Sequence, residues 1–123
     1  MAEGEILNVT LPWPPAELNP NKRLHWAKRS AAARAYRAAC FVRCWNARPR
    51  TPAGKVLLAL EFVPPDRRRR DDDNMLAAFK PGRDGLADAL GMDDHRFTTQ
   101  ISVSDEVVKG GAVRVRVTEV GHA

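Results

Sequence analysis

Cysteine, histidine and long apolar runs are all scarce in this 123-residue chain, and each shortage excludes a class of chemistry. The only cysteines, Cys40 and Cys44, lie about one helical turn apart and lack the paired CxxC spacing of a zinc site or redox motif. They read as core thiols. His25, His95 and His122 are scattered without an HExxH pattern, which argues against a zinc hydrolase. Any catalytic metal must then be held by oxygen. No apolar run approaches a membrane span, and "MAEGEILNVT" opens with acids where a signal peptide would carry positive charge. A cytoplasmic protein with no membrane partner is expected.

Acidic residues are missing from residues 18–60, which hold half of the 20 lysines and arginines, while 11 of the 15 acids lie in residues 61–106. One part of the surface suits a polyanion, with Lys22, Arg23, Lys28 and Arg29 as candidate phosphate contacts, and another concentrates carboxylates that would repel it. A cation bound between carboxylate and phosphate would reconcile them.

Length and 44% hydrophobic content fit one domain over residues 1–123, with no repeats or low-complexity tails. "EILNVTL" has strand composition and stops at "PWPP", whose prolines cannot continue an interior strand. Residues 25–46 contain neither Gly nor Pro and read as a long helix ending before Pro49. At helical spacing Trp26, Ala33, Tyr36, Cys40 and Cys44 share one stripe. Arg37 falls inside that stripe, either snorkelling at its edge or facing the acidic site.

"KVLLALEFV" is nearly continuous in apolar residues, as expected for a central strand covered on both faces. A second helix follows, capped by Asp73 or Asn74, kinked or restarted at Pro81 and ended at Gly91. "RFTTQISVS" and "GGAVRVRVTEV" then read as a hairpin around Gly110 and Gly111. The expected class is α/β (α+β), a small sandwich of two main helices on a mixed four-stranded sheet in the order β-α-β-α-β-β.

The link into the second helix reads "RRRRDDDN". Across an extended backbone Asp71 and Asp73 point the same way and could share one ion, with Asp72 facing outward. Magnesium takes oxygen ligands, commonly one or two carboxylates plus substrate phosphate. Asp93 and Asp94 follow the helix and join the site only if the next strand runs back alongside it. Lys80, seven residues beyond Asp73, shares its helical face if the helix is unbroken and could hold a phosphate. Arg67, Arg68, Arg69 and Arg70 carry guanidinium forks suited to phosphate. Taken singly, each feature has an ordinary explanation: helix cap, turn, solvated charge. Trp13 reads as a packing aromatic rather than a base-stacking platform.

In combination, "VTLPWPP", "PPDRRRRDDDN", "DALGMDD" and "KGGAVRVRVTEVG" resemble the RusA-type Holliday-junction resolvases of bacteria and their prophages, over nearly the whole chain. The resemblance implies a homodimer of small α/β subunits that binds four-way DNA junctions and nicks them symmetrically with Mg²⁺ or Mn²⁺. It implies catalytic roles for Asp71 and Asp73 of the D-x-D-N motif, for Asp94 with Asp93 as alternative, and for an assisting lysine. Asn74 would support the site. The lysine departs from one form of the pattern, because "MLAAF" intervenes before Lys80. Either three residues are inserted, or the lysine has moved one turn along the helix. A noncatalytic nucleic-acid-binding module and a nuclease preferring flaps, forks or duplex are the rival readings.

Overall fold

A computed structural model of the chain describes residues 4–120, so His122 lies outside the described residues. Strands β1 (Glu5–Pro12), β2 (Val56–Val63), β3 (Phe97–Val103) and β4 (Ala112–Glu119) form one sheet, and α1 (Trp26–Asn46) and α2 (Asp72–Leu90) are the two main helices. The order and the mixed four-stranded sheet agree with the sequence reading.

The strand pairing corrects it in one respect. The sheet order is β1-β4-β2-β3, with β2 and β3 parallel and β4 antiparallel to both β1 and β2. Strands β3 and β4 are therefore not hairpin partners. Backbone bonds from Ser104 N to Phe62 O (2.9 Å) and Val108 N to Pro64 O (3.1 Å) carry their connection over the end of β2. Burial explains the preference: Val113, Val115 and Val117 are all but inaccessible and need partners on both sides, whereas β3 exposes Thr98, Gln100, Ser102 and Val103 and suits an edge.

Strand β2 is central, as expected, but only one of its faces is covered. Val56, Leu58, Leu60 and Phe62 are buried while Leu57, Ala59 and Glu61 are half-buried. The opposite sheet face is polar, with Arg114 paired to Glu61 (2.9 Å) and Glu106 (3.1 Å), and Arg116 to Glu5 (3.2 Å).

The covered face forms one core in which Tyr36, Cys40 and Cys44 of α1 meet Phe79, Leu86 and Leu90 of α2. Burial pushes the Cys40 thiol up to about 11 and that of Cys44 to about 12, so both are inert core groups. Tyr36 donates its hydroxyl to Pro12 O at 2.6 Å. Trp26 departs from the expected stripe: as the first residue of α1 it is 74% exposed. Arg37 stands at the stripe's edge, half exposed, and grips Asp88 of α2 with two bonds of 2.8 and 3.0 Å. It does not face the expected site acids.

Helix α2 runs unbroken through Pro81 and ends at Gly91, whose φ of 66° is the left-handed cap position. Inside it, Gly82 and Gly85 let α1 approach closely. A Cβ on Gly85 would stand 2.4 Å from Arg37 O. Gly85→Ala is therefore expected to lower stability in urea unfolding by about 1–3 kcal/mol through overpacking. Gly54→Ala, whose Cβ would meet nothing within 4 Å, should change it by less than about 0.5 kcal/mol.

Candidate functional site

The β2-α2-β3 crossover unit carries the candidate residues, since α2 follows the end of β2 and β3 then pairs parallel to β2. The link between β2 and α2 holds the charge block. Asp66 organises it: its carboxylate accepts from Arg68 N (3.0 Å) and Arg68 Nε (3.3 Å) and pairs with the Arg70 guanidinium at 2.9 Å. The backbone bond from Arg68, then the two side chains, hold Asp66 below its ordinary pKa. Arg70 also donates to the carbonyls of Asp66 (3.1 Å) and Arg68 (3.0 Å), and stands 5.6 Å from the Trp13 ring centroid. Its side chain is turned inward and committed to the protein. Arg67, Arg68 and Arg69 are exposed, and Arg67 and Arg69 make no hydrogen bond or ion pair among the described residues.

The helix cap falls earlier than expected, at Asp71 rather than Asp73 or Asn74. Asp71 keeps extended backbone angles, and its Oδ1 accepts from Asp73 N (2.8 Å) and Asn74 N (3.3 Å), two of the donors that a helix start leaves unmatched. Asp72 and Asp73 form the first turn, where negative charge also suits the helix dipole. The extended D-x-D geometry is therefore absent: Asp71 is extended, but the next two residues are already helical.

Lys80 lies two turns below Asp73 on the same helical face, about 10 Å along the axis. Its ammonium donates to Asp84 Oδ1 at 2.6 Å and to Asp94 Oδ2 at 3.2 Å. These bonds, Asp84 first, raise the Lys80 pKa, and the same ammonium holds Asp94 below the usual carboxylate range. Asp94 opens a single 3-10 turn, Asp94–Arg96, after Gly91, and Arg83 fixes it by donating to its carbonyl at 3.2 Å. Asp93 points away, with 81% of its side chain exposed. The structure thus brings Asp94 rather than Asp93 onto Lys80. Asp84 escaped the sequence reading, although its i, i+4 spacing from Lys80 was a usable signal.

Among the described residues no three His, Cys, Asp or Glu side chains are grouped to hold a metal; Asp94 meets Lys80 and does not join Asp71 and Asp73 in such a group. The donor chemistry, carboxylate oxygen alone, fits a hard divalent ion. Asp71 spends Oδ1 on the cap, which leaves Oδ2 outside those bonds. Beside it opens a groove of about 610 Å³ lined by Asn19, Asn21, Arg68, Arg69, Asp71 and Asn74, with Trp13 in its wall. Trp13 packs edge-on to Phe62, as a structural aromatic. From the acid-free segment Lys22, Arg23 and Lys28 are exposed, while Arg29 donates to the carbonyls of Asn19 and Lys22 and so fixes the loop.

Two measurements check these assignments. Asp71→Ala should cost about 1 kcal/mol in urea unfolding through loss of the cap, whereas Asp71→Asn, which can still accept both bonds, should cost only a few tenths. Asp66, with a folded pKa below the unfolded one, adds stability that is complete above the ordinary aspartate value of about 4 and lost as pH falls through the depressed value. Asp66→Asn should accordingly flatten the acid limb of the stability profile.

No protein-family profile matches the chain. An "uncharacterized protein" of Xylella fastidiosa is 44% identical over 120 residues, covering 94% of this chain and 78% of that protein. The crossover junction endodeoxyribonuclease RusA of Escherichia coli K12 is 36% identical, and that of enterobacteria phage 82 is 33% identical. Both alignments run over 123 residues and cover 94% of this chain and 96% of the relative. With such relatives matched almost end to end, and with the charge block, capped helix and returning acid in place, this chain belongs to the RusA family of crossover junction endodeoxyribonucleases.

Proposed function

We propose that the protein is a divalent-metal-dependent, structure-selective endodeoxyribonuclease that resolves four-way DNA junctions by paired symmetric nicks. The observation that carries this reading is the meeting of Asp94 with Lys80 on the face of α2 that begins at Asp73, in a chain whose relatives are crossover junction endodeoxyribonucleases.

Asp71, Asp73 and Asp94, which are not grouped in the structure, would gather around magnesium together with the substrate phosphate, with Asp93 the alternative third carboxylate and manganese a substitute. When bound, such an ion supplies a Lewis acid for the phosphoryl oxygens and lowers the pKa of its water. Lys80 has three ammonium donors, of which Asp84 and Asp94 occupy two, and the third is available to a phosphoryl oxygen. Arg67, Arg68 and Arg69 beside the groove, and Lys22, Arg23 and Lys28 on the acid-free segment, contact phosphates and recognise shape rather than sequence. Arg70 and Arg29 position these surfaces through the backbone. Asn74 supports the site from the first turn of α2. A homodimer would set two equivalent sites on opposing strands of a two-fold junction, within the cytoplasm where such DNA resides.

The test is cleavage of a four-way junction with a mobile core, mapped on all four strands with and without Mg²⁺. Paired nicks at symmetric positions are expected, with Asp73→Asn retaining junction binding and losing cleavage. Equal loss of both, with the fold intact, would make Asp73 structural. Faster cutting of flaps, forks or duplex would replace the resolvase reading by the broader nuclease one, and binding without Mg²⁺-dependent nicking would leave a binding module.

A further inference from the structure

The exposed indole of Trp26 is unexplained by the core and by the candidate site. It is the most exposed large hydrophobic side chain among the described residues, at 74%. Its neighbours are unusual for a protein-docking aromatic. His25 lies against it with ring centroids 5.7 Å apart and planes tilted by 32°. Lys22, Arg23 and Lys28 flank it in sequence, all exposed and without an ion pair among the described residues. The acid-free segment supplies no carboxylate to neutralise them.

Trp45 at the other end of α1 offers the contrast. It stacks on Phe41 at 5.9 Å and 15° beside the exposed Val42, an apolar surround suited to another protein face. Trp26 instead combines an open π-face with unpaired cations, which is how proteins hold unpaired bases while tracking the backbone.

The position is also fixed relative to the candidate site. Arg29, one turn into α1, donates to the carbonyls of Asn19 and Lys22, and Asn21 N donates to Asn19 Oδ1 at 2.9 Å. The loop that leads into Trp26 is thereby held, and its Asn19 and Asn21 line the groove that Asp71 borders.

From this arrangement we infer that Trp26 is a stacking platform for an unpaired base at the branch point of DNA, with His25, which caps α1 through Ala27 N, buttressing the indole from beside it. The inference rests on the proposed action on branched DNA and adds a discriminating contact. Phosphate-directed cations bind any duplex, whereas an indole face rewards only bases that have left the helix stack.

The test compares wild type, Trp26→Ala and Trp26→Phe for binding to a four-way junction, an oligothymidine strand and a closed-end duplex in Ca²⁺, over a range of salt. Trp26→Ala should bind the junction and the single strand about tenfold more weakly, with duplex affinity and salt slope unchanged, and Trp26→Phe should recover most of the loss. Junction affinity within about twofold of wild type for Trp26→Ala would overturn the inference. So would equal losses on all three DNAs, or a fall in dimer content by sedimentation with the single-strand affinity unchanged, which would put Trp26 at a subunit interface. Wild-type chain that binds no DNA would sink the proposed function and this contact together. Wild-type binding matched by Trp26→Ala sinks the contact alone.

Discussion

Close approach of the two helices at Gly82 and Gly85 is the constraint on which the rest depends. With no Cβ on Gly85, the backbone of α1 at Arg37 comes to rest directly on α2, and that close contact, with the half-exposed Arg37–Asp88 pair at its rim, limits the rotation of α2 about its axis. That rotation decides which side of α2 faces the core and which faces solvent. Phe79, Leu86 and Leu90 go inward, so Asp73, Lys80 and Asp84 are left on a common outward face. A bulkier residue at either glycine would separate the helices and tilt that face. The candidate chemistry is thus held in place by packing that contains no charged group of its own.

Charges near the site carry structural and chemical work together. Asp71 closes the start of α2 with one oxygen and keeps the other outside the cap. Lys80 steadies Asp94 while retaining a free donor, and Asp84 anchors the ammonium from one turn further along. Asp66 sorts the arginine run, turning Arg70 onto Trp13 and leaving Arg67 and Arg69 to solvent. A run that looks uniform in sequence is divided by one carboxylate placed just before it. The basic loop ahead of α1 follows the same economy, since Arg29 is consumed in fixing it while Lys22, Arg23 and Lys28 remain exposed.

Elements whose signal is local were legible in the sequence. The long helix over α1, the apolar strand β2, the glycine end of α2 and the alternating valines of β4 followed from composition and period, which depend on neighbours a few residues away. Readings that needed a distant partner were less secure. The hairpin of β3 with β4 failed because β2 offered β4 a better antiparallel neighbour, a choice made by burial across the sheet. Trp26 failed as a core residue because helical spacing gives a direction without saying whether anything stands there to cover it. Asp84 was legible in principle but unremarked beside the more conspicuous acids.

The sequence by itself determined the alphabet of the site: oxygen donors in place of sulfur or imidazole, arginines ahead of aspartates, an acid-free basic stretch, and the motifs shared with RusA. These are matters of residue type and spacing, fixed along the chain. Only the tertiary structure decided that Asp94 meets Lys80 while Asp93 faces away, that Arg70 turns inward, and that the aspartate cap is Asp71. The first depends on how a returning segment lands on α2, and a contact between segments remote in sequence is set by packing rather than by local propensity. The other two depend on the backbone path into α2, which residue type alone does not fix.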